Sequence, residues 1–270
     1  MSELKKEDYQ EPCCPFDTSQ WKTEPAKEHI DIRRITAKLD EFFYEKDYTG
    51  AKRLLVYWLD SAKEMEDGYG EFQMENELMG LCRKLDQGEE AVSHAERALE
   101  LIDKLEIGDN LGAATSYVNA GTVFKAFGQA ERSIPLFEKA RKLYEAQLKE
   151  GDGRLGGLYN NYALALTDLG RYDEAIACYR KALDVMAKVE GGEADSAITW
   201  LNLANCEEAR VGLEDALSVI EESVEKAWAL LNSETLPRNS YYRFVCEKCI
   251  PTFEYYGYIA YAEELTARCR

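Results

Sequence analysis

The chain has 270 residues and a formal net charge of −18, with 31% charged and 46% hydrophobic residues. That acidity speaks against a nucleic-acid or anionic-membrane partner, since both need a basic surface. The balance suits a soluble protein rich in exposed helices, and no apolar run nears the roughly 20 residues that span a bilayer. Met1 to Asp8 lack the apolar core of a secretory signal, so a cytoplasmic location is expected.

Residues 1–28 stand apart. They hold Pro12, Pro15 and Pro25 and an excess of acids, which predicts an extended N-terminal arm with Phe16 and Trp21 as its only anchors. Residues 29–270 read as helices throughout. Ile35, Leu39 and Phe42, followed by Asp47-Tyr48-Thr49-Gly50-Ala51, mark a first helix pair over about 32–71. Leu78, Met79, Cys82, Leu85 and Ala91 mark a second over 72–113.

The third pair, 114–155, carries Tyr117-Val118-Asn119-Ala120-Gly121-Thr122-Val123-Phe124 and then Phe127-Gly128-Gln129-Ala130-Glu131-Arg132-Ser133. Forty-two residues on, in 156–196, Tyr159-Asn160-Asn161-Tyr162-Ala163-Leu164-Ala165-Leu166 repeats the same order of aromatics and small residues. A further shift of 41 brings Trp200-Leu201-Asn202-Leu203-Ala204 into register in 197–238, with Ala216 closing the frame. Tyr256-Gly257-Tyr258 through Leu265 marks a last pair in 239–270. Self-similarity at a fixed period is the signature of a solenoid.

Within each pair the small residues, such as Ala163 and Ala175, let two helices approach, while Tyr159, Leu166, Tyr179 and Leu183 fill the seam. Gly68, Gly108, Gly151 and Gly191 are expected to be left-handed helix ends, and Asp67, Asp109, Asp152 and Asp195 to be turn or N-cap residues. Pro135 is placed near a helix start, where a missing N–H matters least, and Pro251 is expected to kink the last pair's first helix.

Leu169-Gly170-Arg171-Tyr172-Asp173-Glu174-Ala175-Ile176-Ala177-Cys178-Tyr179-Arg180-Lys181-Ala182-Leu183 resembles the tetratricopeptide repeat, in the form of about 42 residues found in kinesin light chain-like adaptors. Ser133 and Ser223 depart from it, where alanine is more usual. The resemblance implies an all-α, right-handed superhelical solenoid of about six such helix pairs. It also implies that the first helix of each pair lines a concave groove. Carried over residue by residue, the groove would show Asn76, Arg83 and Lys84, then Asn119, Thr122 and Lys125. Asn160, Asn161, Thr167 and Asp168 follow, then Asn202, Asn205 and Glu208.

An amide both donates and accepts, so the row Asn119, Asn161, Asn202 suits the backbone of an extended peptide whatever its side chains. The competing use of the same amides is to bond neighbouring helices and stiffen the stack. Basic Arg83, Lys84 and Lys125 early in the row and acidic Asp168 and Glu208 late in it predict a groove with two electrostatic ends. Glu77 and Leu78 stand where a clamp for a terminal carboxylate would need polar or basic groups, so chaperone tails are not expected ligands.

Cys13-Cys14 and Cys246-x-x-Cys249 have the spacing of zinc half-sites, but they lie at opposite ends of the repeat. Cys82, Cys178, Cys206, Cys246 and Cys249 read as small buried hydrophobes. His29 and His94 stand alone in sequence, and Gly151-Asp152-Gly153 and Gly156-Gly157 follow no strand, so they make no phosphate loop. No enzyme, metal or cofactor is expected. The expected function is a scaffold that holds an extended peptide or a partner's helix. The alternatives are a purely architectural or self-associating repeat, a metal- or redox-responsive adaptor using the cysteine pairs, and a sensor of a signalling peptide. Bacterial peptide-sensing regulators resemble the chain in repeats and asparagines, but they carry an output domain that is not expected here.

Overall fold

The computed structural model describes residues 29–269, and among them twelve α-helices and no strand. The N-terminal arm, with Cys13-Cys14, Phe16 and Trp21, lies outside the described residues. The chain divides into two compact units, Met1–Gln129 and Ala130–Arg270.

The first unit holds α1 (Ile32–Tyr44), α2 (Tyr48–Glu64), α3 (Gly68–Lys84), α4 (Gly88–Lys104) and α5 (Leu111–Ala126). Each helix packs on the next, and α3 also packs on α5. The spacing of Ile35, Leu39 and Phe42 puts one apolar stripe of α1 inward, where all three are at most 2% exposed. They share a core with Leu54, Trp58, Met74 and Leu78.

The second unit holds α6 (Ala130–Gln147), α7 (Gly153–Asp168), α8 (Tyr172–Met186), α9 (Glu193–Val211), α10 (Leu213–Leu231), α11 (Ser240–Tyr255) and α12 (Ile259–Cys269). The pairs α7/α8, α9/α10 and α11/α12 pack closely, and α9 also touches α7 and α11. First helices of successive pairs are therefore neighbours. Small residues set the approach of α7 and α8: Ala163 and Ala175 are fully buried, and a Cβ on Gly156 would lie 2.6 Å from Met186 Cε. Tyr159, Leu166 and Tyr179 fill this seam as expected, with Leu183 half-buried at its edge.

Many of the turns between successive helices are three residues long and built alike. After α1, Lys46 adopts φ 58°, and Asp47 N–H donates to Phe42 O at 2.9 Å. The same bond recurs as Asp67 N–H to Ala62 O, Gln87 to Cys82, Gln129 to Phe124, Arg171 to Leu166 and Tyr258 to Phe253. This closure satisfies carbonyls that the helix end would leave unpaired. Asp47 then caps α2 through its side chain, accepting from Gly50 N–H at 2.9 Å. One residue thus ends a helix and starts the next.

Several expectations are corrected. Glu66 and Glu106, not Gly68 and Gly108, take the left-handed conformation, while Gly151 and Gly191 do so as expected. Asp67 and Asp152 are N-caps and Asp109 a turn residue, as expected, with Asn110 capping α5, whereas Asp195 lies inside the first turn of α9. Pro135 is the sixth residue of α6, and Pro251 lies inside α11. The four second-helix positions Ala91, Ser133, Ala175 and Ala216 are buried. The Ser133 hydroxyl donates to Ala130 O at 2.6 Å, so it is satisfied where alanine is usual.

Candidate functional site

In the first unit the groove candidates lie on α3 and α5. Asn76 is half-buried and its Nδ2 donates to Phe72 O, four residues back on its own helix, at 2.8 Å. Arg83 and Lys84 end α3 and are exposed; Lys84 Nζ sits 4.5 Å from the centre of the Tyr48 ring and 5.6 Å from that of Phe43. The lysine charge is thus partly spent on those ring faces. Glu77, on the same helix, is pushed above the usual carboxylate range by burial and by the negative Asp40. On α5 Asn119 is exposed, the Thr122 hydroxyl donates to Val118 O at 2.8 Å, and Lys125 stands in the last turn.

In the second unit the candidates join into a chain of bonds between helices. Asn202 Nδ2 on α9 donates to Asn160 Oδ1 on α7 at 3.1 Å, and the Thr199 hydroxyl reaches the same oxygen at 3.2 Å. Farther along α9, the Tyr256 hydroxyl donates to Asn205 Oδ1 at 2.9 Å and Glu208 Oε2 at 2.8 Å, while Tyr255 donates to Glu208 Oε1 at 2.7 Å. Burial and the Glu208 carboxylate hold the Tyr256 phenol well above its ordinary pKa, so it stays a donor. Tyr241 on α11 closes on Asp195 of α9 at 2.6 Å. Asn161 Nδ2 donates back to Gly157 O at 3.0 Å, as Asn76 does on α3. The Thr167 hydroxyl donates to Ala163 O at 2.9 Å, and Asp168 ends α7.

The helix-stiffening use of the amides is therefore realised at Asn160, Asn202 and Asn205. It uses only part of each amide. Among the described residues, Asn160 Nδ2, Asn161 Oδ1 and Asn202 Oδ1 keep no protein partner. These are one donor and two acceptors on two neighbouring helices.

The sequence reading missed a second cluster. His94 does not stand alone: its Nδ1 lies 2.6 Å from Glu75 Oε2, and ligand atoms of Cys82, Glu90 and His94 all fall within 4.8 Å of one another. Burial works against the charged imidazole, but hydrogen bonds with Cys82 and Glu75 outweigh it and hold the pKa up at about 9. The available signal was the spacing Glu90-x-x-x-His94, which puts both on one face of α4. His29 Nδ1 likewise lies 3.2 Å from the carboxylate of Asp67. Cys246 and Cys249 are buried in the last pair, where burial raises both thiols.

Helix pairs in tandem, with neighbouring first helices joined through polar side chains, define a helical-repeat scaffold, the kind of array whose stacked faces serve as binding surfaces. The model of the tetratricopeptide repeat matches residues 71–146 and 155–227, more than half of the chain, and the chain belongs to that family.

The crystal structure of BtubC (BKLC) from P. vanneervenii is similar at a TM-score of 0.64 and 21% identity, over 77% of this chain and 84% of that one. Kinesin light chain TPR-like repeats from Podosopora anserina give 0.52 and 16%, over 74% and 93%. A Rap protein complexed with competence and sporulation factor gives 0.57 and 18%, over 87% and 61%. At these identities the likeness is one of fold. No curated protein matches the chain. Among the described residues no helix is long and apolar enough to cross a membrane.

Proposed function

We propose that the chain is a binding scaffold whose first helices hold an extended peptide or a partner's helix. The observation that carries this reading is the half-used amides on α7 and α9: Asn160 Nδ2, Asn161 Oδ1 and Asn202 Oδ1, each fixed by a bond made through its other atom. A pre-positioned amide loses little freedom on binding, which favours affinity. Packed helices lie about 8–10 Å apart and an extended peptide rises about 3.3 Å per residue, so neighbouring helices meet roughly every third residue. In the first unit, Asn119 presents an exposed amide on α5. The similar Rap protein, complexed with competence and sporulation factor, accords with this use of the fold.

The test is selection of peptides from a displayed library on the intact protein, followed by the variant Asn119→Ala/Asn161→Ala/Asn202→Ala. Each lost bond is worth about 0.5–1.5 kcal/mol, so the selected peptides should bind at least about tenfold more weakly. Helicity should stay close to that of the parent, with the denaturation midpoint lowered by the lost Asn202–Asn160 bond, about 0.5–1.5 kcal/mol. Peptides that bind the triple variant equally well would overturn the assignment of these amides. Self-association is the second reading, favoured by Val211, Leu213 and Leu217, which stand exposed where α9 turns into α10.

A further inference from the structure

We propose that Cys82, Glu90 and His94 form a binding site for a single zinc-type divalent cation between α3 and α4. The site is independent of the peptide-binding reading and uses none of its residues. Cys82 lies in the last turns of α3, Glu90 in the first turn of α4, and His94 one turn later on the same face. The three-residue turn Leu85-Asp86-Gln87 folds α4 back on α3 and brings the three together. Their ligand atoms lie within 4.8 Å of one another. Tetrahedral zinc, with Zn–S of about 2.3 Å and Zn–N of about 2.0 Å, asks for a contraction on the order of 1 Å from that limit.

The surroundings are those of a metal site. Glu75, almost wholly buried, holds His94 Nδ1 at 2.6 Å, which fixes the ring; Nε2, the nitrogen left for the hydrogen bond with Cys82, is the atom that takes a cation once that proton is displaced. A carboxylate behind a ligating histidine is the usual support of such a ligand. Lys52 Nζ holds Glu90 Oε2 at 2.6 Å and Gln87 Oε1 at 2.7 Å, which leaves Glu90 Oε1 free to turn inward. One thiolate and one carboxylate balance a divalent charge, with histidine neutral. Thiolate and imidazole together select zinc over magnesium or calcium. Cys82 is fully buried, while Glu90 is exposed at the edge of the cluster. Three protein ligands leave the fourth position to water.

The full-length protein, stripped of metal and reduced, is titrated with Co²⁺ without oxygen. One equivalent should produce thiolate-to-cobalt absorption in the near ultraviolet and the strong visible bands of four-coordinate cobalt. Equimolar Zn²⁺ should abolish both. Cys82→Ser should lose the near-ultraviolet band, while Cys246→Ser/Cys249→Ser keeps it. Because Cys82 is buried and its variant is at risk of misfolding, the exposed Glu90→Gln provides a second arm. Its affinity for Co²⁺ should fall at least about tenfold with helicity unchanged, since losing a ligand costs no less than losing an outer-shell partner. Absence of the band at one equivalent, or an unchanged titration in Glu90→Gln, would overturn the site.

Discussion

Asp67 does the work of several residues. It is 2% exposed; its Oδ1 accepts from Gly70 N–H at 2.9 Å and lies 3.2 Å from His29 Nδ1, and its Oδ2 accepts from Ile30 N–H at 3.0 Å. Its own N–H closes the end of α2 on Ala62 O. The crowding explains Gly70, where a Cβ would lie 2.4 Å from Asp67 Oδ2. Asp67→Ala loses a cap and strands the buried Ile30 N–H, so a loss of about 2–4 kcal/mol is expected. Asp31→Ala removes a cap that makes one bond, to Arg34 N–H, and should cost about 1 kcal/mol. Urea midpoints of the two variants give the comparison. Equal losses would mean that the Ile30 contact adds nothing.

At the scale of the helix, stability depends on how closely paired helices approach. Ala175 on α8 is fully buried in the second unit, beside the seam where Gly156 meets Met186. Ala175→Leu forces extra methyl groups into this contact and should cost about 1–3 kcal/mol. The check is the denaturant midpoint with an unchanged m-value; a midpoint equal to the parent's would place Ala175 outside the tight seam.

The helix pairs themselves were legible in the sequence, because apolar positions and turns repeat together at 41 or 42 residues. The helix starts were less so. α3 begins at Gly68, four residues ahead of the start at 72 expected for its unit, because the first turn, Gly68-Tyr69-Gly70, lacks the pattern. Left-handed turns at Lys46, Glu66, Asp86 and Glu106 carry no glycine to announce them. Each costs about 1–2 kcal/mol, offset by the two hydrogen bonds that close the turn.

The candidate site shows the same division. A repeat period identifies equivalent positions, such as Asn161 and Asn202, but contact runs between Asn202 and Asn160, one position out of register. Glu90 and His94 share a helix face that the sequence displays, whereas Cys82 joins them only across a turn. Partners on the next helix, such as Asn160 for Asn202, carry no spacing signal in the sequence.

For the molecule as a whole, the dominant fact is 51 acidic side chains against 33 basic ones. Local pairs such as Glu71 with Arg97, at 2.8 Å, and Arg171 with Glu174, at 2.7 Å, offset some of them. Exposed pairs contribute at most about 1 kcal/mol each and are themselves screened by salt. The acidic excess repels itself within the folded chain, over distances that shrink from about 30 Å at 0.01 M salt to about 8 Å at 0.15 M. The thermal midpoint should therefore rise over that range. A falling midpoint would mean that the ion pairs outweigh the excess. The same repulsion keeps copies apart at low salt and is relieved as salt rises, which exposes any attraction between the apolar corners at Val211, Leu213 and Leu217. Sedimentation across the salt series separates the two readings of function. A single-chain mass throughout accords with a scaffold that waits for its ligand, and a mass that grows with salt and returns to that of one chain in Leu213→Glu/Leu217→Glu would make self-association the better account.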